Sequence, residues 1–363
     1  MTSAARVHSL PEALARLRAP DAAEAFGPLG AEPLLAVDVE AGASSARLGA
    51  GVALPGAADA LRARLARLPC PTVALARGGA QGTAAKRWGP AFDVVVESDA
   101  ALAQVAGAAA RTPIAAATCV QLLRLGAWHD LEAGLVAESL AYATLQGGPE
   151  FAAWLAARRA ARAGRLPGGA PEAPPLRLAR EGERLRITLD RPARRNAFSA
   201  AMRDALVEAL ALATEDAALR EVVLEGAGAA FCAGGDLDEF GTRPDPATAH
   251  AVRTTRSAAR ALAACAPRVT ALVHGACFGA GLELAAFAGR VCVREGARLA
   301  LPELAMGLVP GAGGTVSLPR RIGRQRTAWL ALTGAELDAP TALAWGLADE
   351  LLPAGEASAP RGP

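Results

Sequence analysis

The residues best suited to chemistry lie between positions 274 and 315, where two glutamates, Glu283 and Glu303, each follow a segment that shapes the backbone. Glu283 comes after Gly279-Ala280-Gly281-Leu282 and so stands at or just inside the start of a helix. Glu303 follows Pro302 at the end of an apolar, strand-like run. Carboxylates on rigid elements beside glycine-shaped loops suit proton transfer next to a bound carbonyl whose oxygen is polarised by main-chain N–H groups. Taken singly, Glu283 also reads as an acid favoured by a helix N-terminus and Glu303 as a solvated loop charge.

The elements around them alternate. Residues 176–190 read as two short strands about a turn at Glu181-Gly182-Glu183. Ala200 to Glu215 has helical periodicity, with Met202, Leu206, Leu210 and Leu212 on or near one face and Ser199 as N-cap. A short strand at 221–224 ends near Gly226, a helix covers 255–264, and a strand at 269–273 leads into the glycine loop. Repeated strand-to-helix units predict an α/β fold. Residues 164–175, rich in Gly and Pro, read as a linker between an N-terminal part (1–163) and a C-terminal part (176–353), and 354–363 as a flexible tail. The strands at 71–78 and 93–102 echo those at 267–275 and 290–299 at a nearly constant spacing, so both parts are expected to contain the same supersecondary units.

At 363 residues, two domains are expected. Acidic and basic residues nearly balance, 36 against 38, and are interspersed; Lys86 is the only lysine. No basic tract points to nucleic acid. The six cysteines are scattered without a CxxC pair and read as buried thiols, and no cluster has metal-ligand spacing. The N-terminal residues do not read as a secretory signal, and no uninterrupted apolar run is long enough to span a membrane, so a cytoplasmic protein is expected.

Four segments in order carry a resemblance to the crotonase (enoyl-CoA hydratase/isomerase) superfamily: 191–199, 226–237, 274–284 and 302–314. The resemblance implies a crotonase-like ββα spiral core with flanking helices. It further implies an oxyanion hole from the main-chain N–H groups of Ala233 and Ala280, and a catalytic pair, Glu283 and Glu303, holding a water between them. It implies substrate or coenzyme A contacts at Arg195, Ala197, Phe198, Gly234, Gly235, Asp236, Gly279 and Gly281. Asp236 also reads as ordering its own loop, Arg194 and Arg195 as solvated charges, and His274 as a structural imidazole. The activity implied is reversible hydration of a 2-enoyl-CoA thioester. Double-bond isomerisation, thioester hydrolysis, a specialised biosynthetic step and a non-catalytic assembly subunit are the other readings. No cofactor is implied beyond the coenzyme A of the substrate, and the family habit is a homo-trimer or hexamer.

The C-terminal part stops near Pro353, whereas family members continue into helices that cover the active site. Residues 106–163 have the order of those missing helices. The N-terminal part is therefore expected to be a degenerate, catalytically silent crotonase-like half, its glycine loop at 77–82 lacking the glutamate segments, that supplies these helices to the other half. Tyr142 and the tryptophans are too dispersed to define acyl specificity.

Overall fold

The computed structural model describes residues 5–41, 57–162, 173–242 and 245–354. It divides into two compact units: Met1–Gly126 with Arg324–Thr333, and Ala127–Gly323 with Gly334–Pro363.

The first unit is built on a four-stranded parallel sheet, β1 (Val7–Ser9), β2 (Leu35–Asp38), β3 (Thr72–Leu75) and β4 (Val94–Val96), in sequential order. Helices α1 (Leu10–Arg16), α2 (Ala22–Ala25), α3 (Ala57–Leu65), α4 (Thr83–Trp88), α5 (Asp99–Arg111) and α6 (Pro113–Arg124) accompany it. The strands β2 and β3 are apolar and buried almost throughout, as a sheet covered on both faces requires. Their side chains pack with Phe26, Trp88 and Phe92 in one core. Buried Asp93 fixes the sheet end, accepting from the Thr72 hydroxyl and pairing with Arg124 and Arg324.

The second unit opens with two helices, α7 (Leu131–Gln146) and α8 (Pro149–Ala161), before its first strand. The antiparallel hairpin β5 (Leu176–Glu181) and β6 (Arg184–Leu189) leads to α9 (Ala200–Glu215). There follow β7 (Glu221–Gly226), β8 (Ala230–Cys232), α10 (Pro246–Thr255), α11 (Ala258–Cys265), β9 (Val269–Val273), β10 (Ala276–Phe278), α12 (Ala280–Ala285), β11 (Arg290–Arg294) and β12 (Arg298–Ala300). The chain continues through α13 (Gly314–Thr333), which breaks at Gly323 (φ 79°) and whose last part, Arg324–Thr333, belongs to the first unit, and then β13 (Leu337–Asp338), α14 (Ala339–Trp345) and β14 (Glu350–Leu352). From β7 to β12 successive strands alternate between two sheets, ordered β14-β11-β9-β7-β6-β5 and β13-β12-β10-β8. Each turn of chain there gives one strand to each sheet and then a helix, the ββα spiral that the family resemblance implies. The helices start where a Ser or Asp side chain accepts the N–H three residues on: Asp130, Ser199, Asp245, Ser257 and Asp338 all do so.

Three expectations change. The helix expected at 255–264 starts three residues later, at Ala258, because Ser257 caps it, and a separate helix, α10, ends at Thr255. Leu212 is 56% exposed rather than on the buried face of α9, since it lies two residues from Leu210 and so points elsewhere on the cylinder. The compact units divide between Gly126 and Ala127, not at 164–175. Helices α7 and α8 therefore belong with the glutamates, while α5 and α6 belong to the first unit. Most of the expected linker and nearly all of the expected tail lie outside the described residues.

Candidate active site

The strands β8 and β10 run parallel, with Cys277 opposite Cys232, and each ends in a glycine loop. The loops touch: a Cβ added to Gly234 would meet the Phe278 carbonyl at 3.3 Å. The first loop is also held by the 191–198 segment. Phe198 N–H donates to Gly234 O at 2.8 Å and Asp236 N–H to Phe198 O at 3.0 Å, a parallel bridge between Phe198 and Gly235. In such a bridge the bonded groups on one side belong to the residues flanking Gly235, so the N–H of Gly235 itself points away from Phe198. Gly235 and Phe198 both line a cavity of about 220 Å³, and so does Ala280, the first residue of α12.

Ala233, expected as an oxyanion donor, does not serve. Its N–H is spent on the carbonyl of Arg195 at 3.0 Å, and it is absent from the cavity wall. The error is one of main-chain direction, which side-chain types do not encode. Of the remaining expected contacts, Arg195, Ala197, Gly234, Asp236, Gly279 and Gly281 lie outside that wall. Arg195 is exposed and left-handed at φ 51°. Ala197 gives its carbonyl to Arg191, and buried Asp236 pairs with the same Arg191 at 2.9 Å while accepting the Asp238 N–H. Gly281 lets α12 lie against β8, where a Cβ would sit 2.6 Å from Cys232 O. Arg194 pairs with Asp238, and His274 bonds Gly228 O.

Both glutamates reach the cavity and both are buried. Glu283 is the fourth residue of α12, and its Oε2 accepts the N–H groups of Ala312 at 2.7 Å and Gly314 at 2.8 Å. Glu303 opens a single helical turn after β12. Gly279 makes room for it: φ is 48°, and a Cβ there would collide with Glu303 Oε1. Gly314 does the same for Glu283, whose Cγ would lie 2.6 Å from an added Cβ. Glu303 Oε2 is buried without a hydrogen-bond partner. Burial, then the charge of Glu138, pushes Glu303 up to about 8. Burial, then the charges of Glu303 and Glu138, lifts Glu283 well above the usual carboxylate range.

Glu138, in α7, is the third buried carboxylate of the wall and was not anticipated from sequence. It accepts Gly313 N–H on Oε1, and Thr315 N–H and Oγ1–H on Oε2, at 2.7 to 2.8 Å; burial pushes it up to about 7. Nearby, Arg253 caps the Tyr142 ring at 4.6 Å and bonds Ser139 and Gln146. Nothing in the sequence of α7 marked it, because Leu135, Glu138, Ser139 and Tyr142 make a mixed face on which an acid reads as solvated.

The six cysteines are all buried and none is in a disulfide; burial pushes Cys232 up to about 12, against nucleophilic use.

The family profile described as enoyl-CoA hydratase/isomerase matches residues 181–359. Over 178 residues the chain is 36% identical to the 2,3-dehydroadipyl-CoA hydratase of Escherichia coli, covering 49% of this chain and 69% of that protein. The chain belongs to the enoyl-CoA hydratase/isomerase family. Within that family it is also 38% identical over 165 residues to the 1,2-epoxyphenylacetyl-CoA isomerase of Escherichia coli, covering 44% of this chain and 63% of that one. Among solved structures, an enoyl-CoA hydratase from Mycobacterium smegmatis matches at 33% identity with a TM-score of 0.47, covering 50% of this chain and 71% of that one. The profile match begins after α8, takes in the Arg324–Thr333 stretch of the first unit, and does not reach residues 1–126.

Proposed function

We propose that the protein is an acyl-CoA hydratase, adding water reversibly across the double bond of a 2-enoyl-CoA. The observation that carries this is the unequal pair of buried carboxylates in a cavity that Gly235 and Ala280 also line. Two charges so close in a dry site do not both ionise. Both carboxyls are lifted, so the pair holds one proton between them; in the form that adds water, Glu283, with two N–H donors on one oxygen, is the ionised partner and Glu303, with an open Oε2, carries the proton.

The roles follow. The thioester oxygen sits against the N–H groups of Gly235 and Ala280, which stabilise the enolate as it forms. Glu283 takes a proton from water while the water oxygen bonds to the β-carbon. Glu303 gives its proton to the α-carbon, and the pair again holds one proton in all. Phe198 and Tyr142 line the cavity in which the acyl group is held. The names of the relatives fit a thioester substrate of this kind, and a hydratase among them fits the retention of both glutamates.

Loss of the 2-enoyl absorbance of crotonyl-CoA tests this reading. Glu283→Gln and Glu303→Gln should each lower kcat by about 10²–10⁴-fold with folding intact. Wild-type rates in both variants, or a shifted double bond as sole product, overturn it.

A further inference from the structure

The turn that opens α13 presents four successive N–H groups, and they are shared alternately between two carboxylates. Ala312 and Gly314 donate to Glu283 Oε2; Gly313 and Thr315 donate to Glu138. Groups at a helix start have no intrahelical acceptor and must be met by side chains or water. Here they are met by acids from two other helices, one of them 175 residues away along the chain. Ser317 Oγ donates to the main-chain carbonyl of Glu283, fastening the same turn to α12 a third time.

From this alternation we infer that Glu138 is a positioning residue for Glu283, setting the turn that aims the base at the water. The inference rests on the proposed hydratase chemistry. Successive Cα atoms are about 3.8 Å apart on a stiff peptide chain, so Gly313 and Thr315 cannot move without carrying Ala312 and Gly314 with them. Glu138 sits in the cavity wall, but its two oxygens are already committed to three donors, so it acts through the turn rather than on substrate. Facing it are Glu283 from α12, Glu303 from its turn, Tyr142 from its own helix and Arg253 from α10, the cation among them. A simple helix cap would need one acceptor near the chain start. Interleaving two acids ties the angle of Glu283 to an element outside the matched family segment.

Glu138→Gln is close in shape but turns one acceptor oxygen into an N–H donor. With its remaining oxygen on Thr315, its amide faces the Gly313 N–H, donor against donor. Turnover of crotonyl-CoA should fall about 10- to 100-fold in kcat, as displacement of a reacting group by about 1 Å does, with KM within about threefold. Combined with Glu283→Gln, it should cost little beyond Glu283→Gln alone, because both act through one group. Thr315→Val, which removes only the hydroxyl bond, should show a smaller fall in kcat. A crystal structure of Glu138→Gln should show the 312–315 turn displaced and Glu283 short of one N–H bond.

A folded Glu138→Gln with unchanged kcat and an unmoved turn overturns the inference. So do losses that multiply with those of Glu283→Gln. If Glu138→Gln does not fold, wild-type kcat in Thr315→Val overturns it. A turn that moves while Glu283→Gln keeps full activity refutes the hydratase reading instead.

Discussion

The two units carry the same local device with opposite contents. In the first, β3 leads through a glycine loop into six-residue α4, capped by Gly82, and on to β4, parallel to β3. In the second, β9 leads through β10 and a glycine loop into six-residue α12, capped by Gly279, and on to β11, parallel to β9. The fourth residue of α4 is exposed Lys86; the fourth residue of α12 is buried Glu283. In the first loop, the N–H groups of Gly78 and Ala80 are taken by Glu40 and Glu97, and Arg77 is paired to Asp38 and Asp99. Glu40 and Glu97 lie just past strand ends at the surface, so they close the loop. In the second loop the acids are buried, they line a cavity, and the Gly235 and Ala280 main chain faces it. The strand–loop–helix scaffold is therefore permissive, and the chemistry depends on where carboxylates enter and whether N–H groups stay open.

The most severe way to sharpen the contrast is to write the first unit's residue into the second. Glu283→Lys should lower kcat on crotonyl-CoA on the order of 10³-fold or more, because it removes the base and places a cation that the Ala312 and Gly314 N–H groups repel. A variant retaining a tenth of the wild-type rate breaks the comparison, since the helix position would then not matter.

A smaller effect separates the two loops by pH. Glu303, raised to about 8, binds its proton more tightly folded than unfolded, where its value is the ordinary 4.5. Its stabilising contribution is thus full below about 4.5 and is lost as pH rises through about 8. Glu138 and Glu283 are shifted the same way. Asp99 is the reverse: Arg77 holds it below its usual range, so its contribution exists at neutral pH and is lost on acidification, weakly because the pair is exposed. Hydrogen exchange should show the 312–315 turn loosening between pH 6 and 9 and the 77–82 loop loosening only below pH 4. In Glu303→Gln the alkaline melting loss should shrink, because an amide has no proton to lose. Equal loosening of both loops on the alkaline side contradicts the assignment.

How much of this could be read from residue order follows from the range of the forces involved. The α/β alternation, the Ser199 cap, the hairpin expected at 176–190 and the placing of Glu283 and Glu303 are local, written in periodicity and in Gly or Pro at fixed offsets, whereas the spiral came from the family resemblance. The Ala233 error was also local but concerned main-chain direction, which is set by the bridge to Phe198. Glu138 is unreadable for another reason. Its partners lie 175 and 177 residues on, and an acid in a helix otherwise resembles a solvated one. The expectation that residues 106–163 supply covering helices did not name the carboxylate among them.

The smallest effect completes the comparison from the other side. Lys86→Glu restores to α4 the residue that α12 carries. Lys86 is exposed, so stability should change by no more than about 0.5 kcal/mol. Introduced into Glu283→Gln, it should rescue nothing. A carboxylate there would be hydrated and would keep an ordinary affinity for protons, whereas Glu283 owes its altered one to burial and to Glu303 and Glu138. The neighbouring loop also has its Gly78 and Ala80 N–H groups already bound to Glu40 and Glu97. Recovery of crotonyl-CoA hydration in the Lys86→Glu, Glu283→Gln double variant would mean that a strand–loop–helix unit needs only its acid, and that burial and open N–H groups are dispensable. The expected absence of recovery ties the chemistry to the dry cavity instead of to the position on the helix.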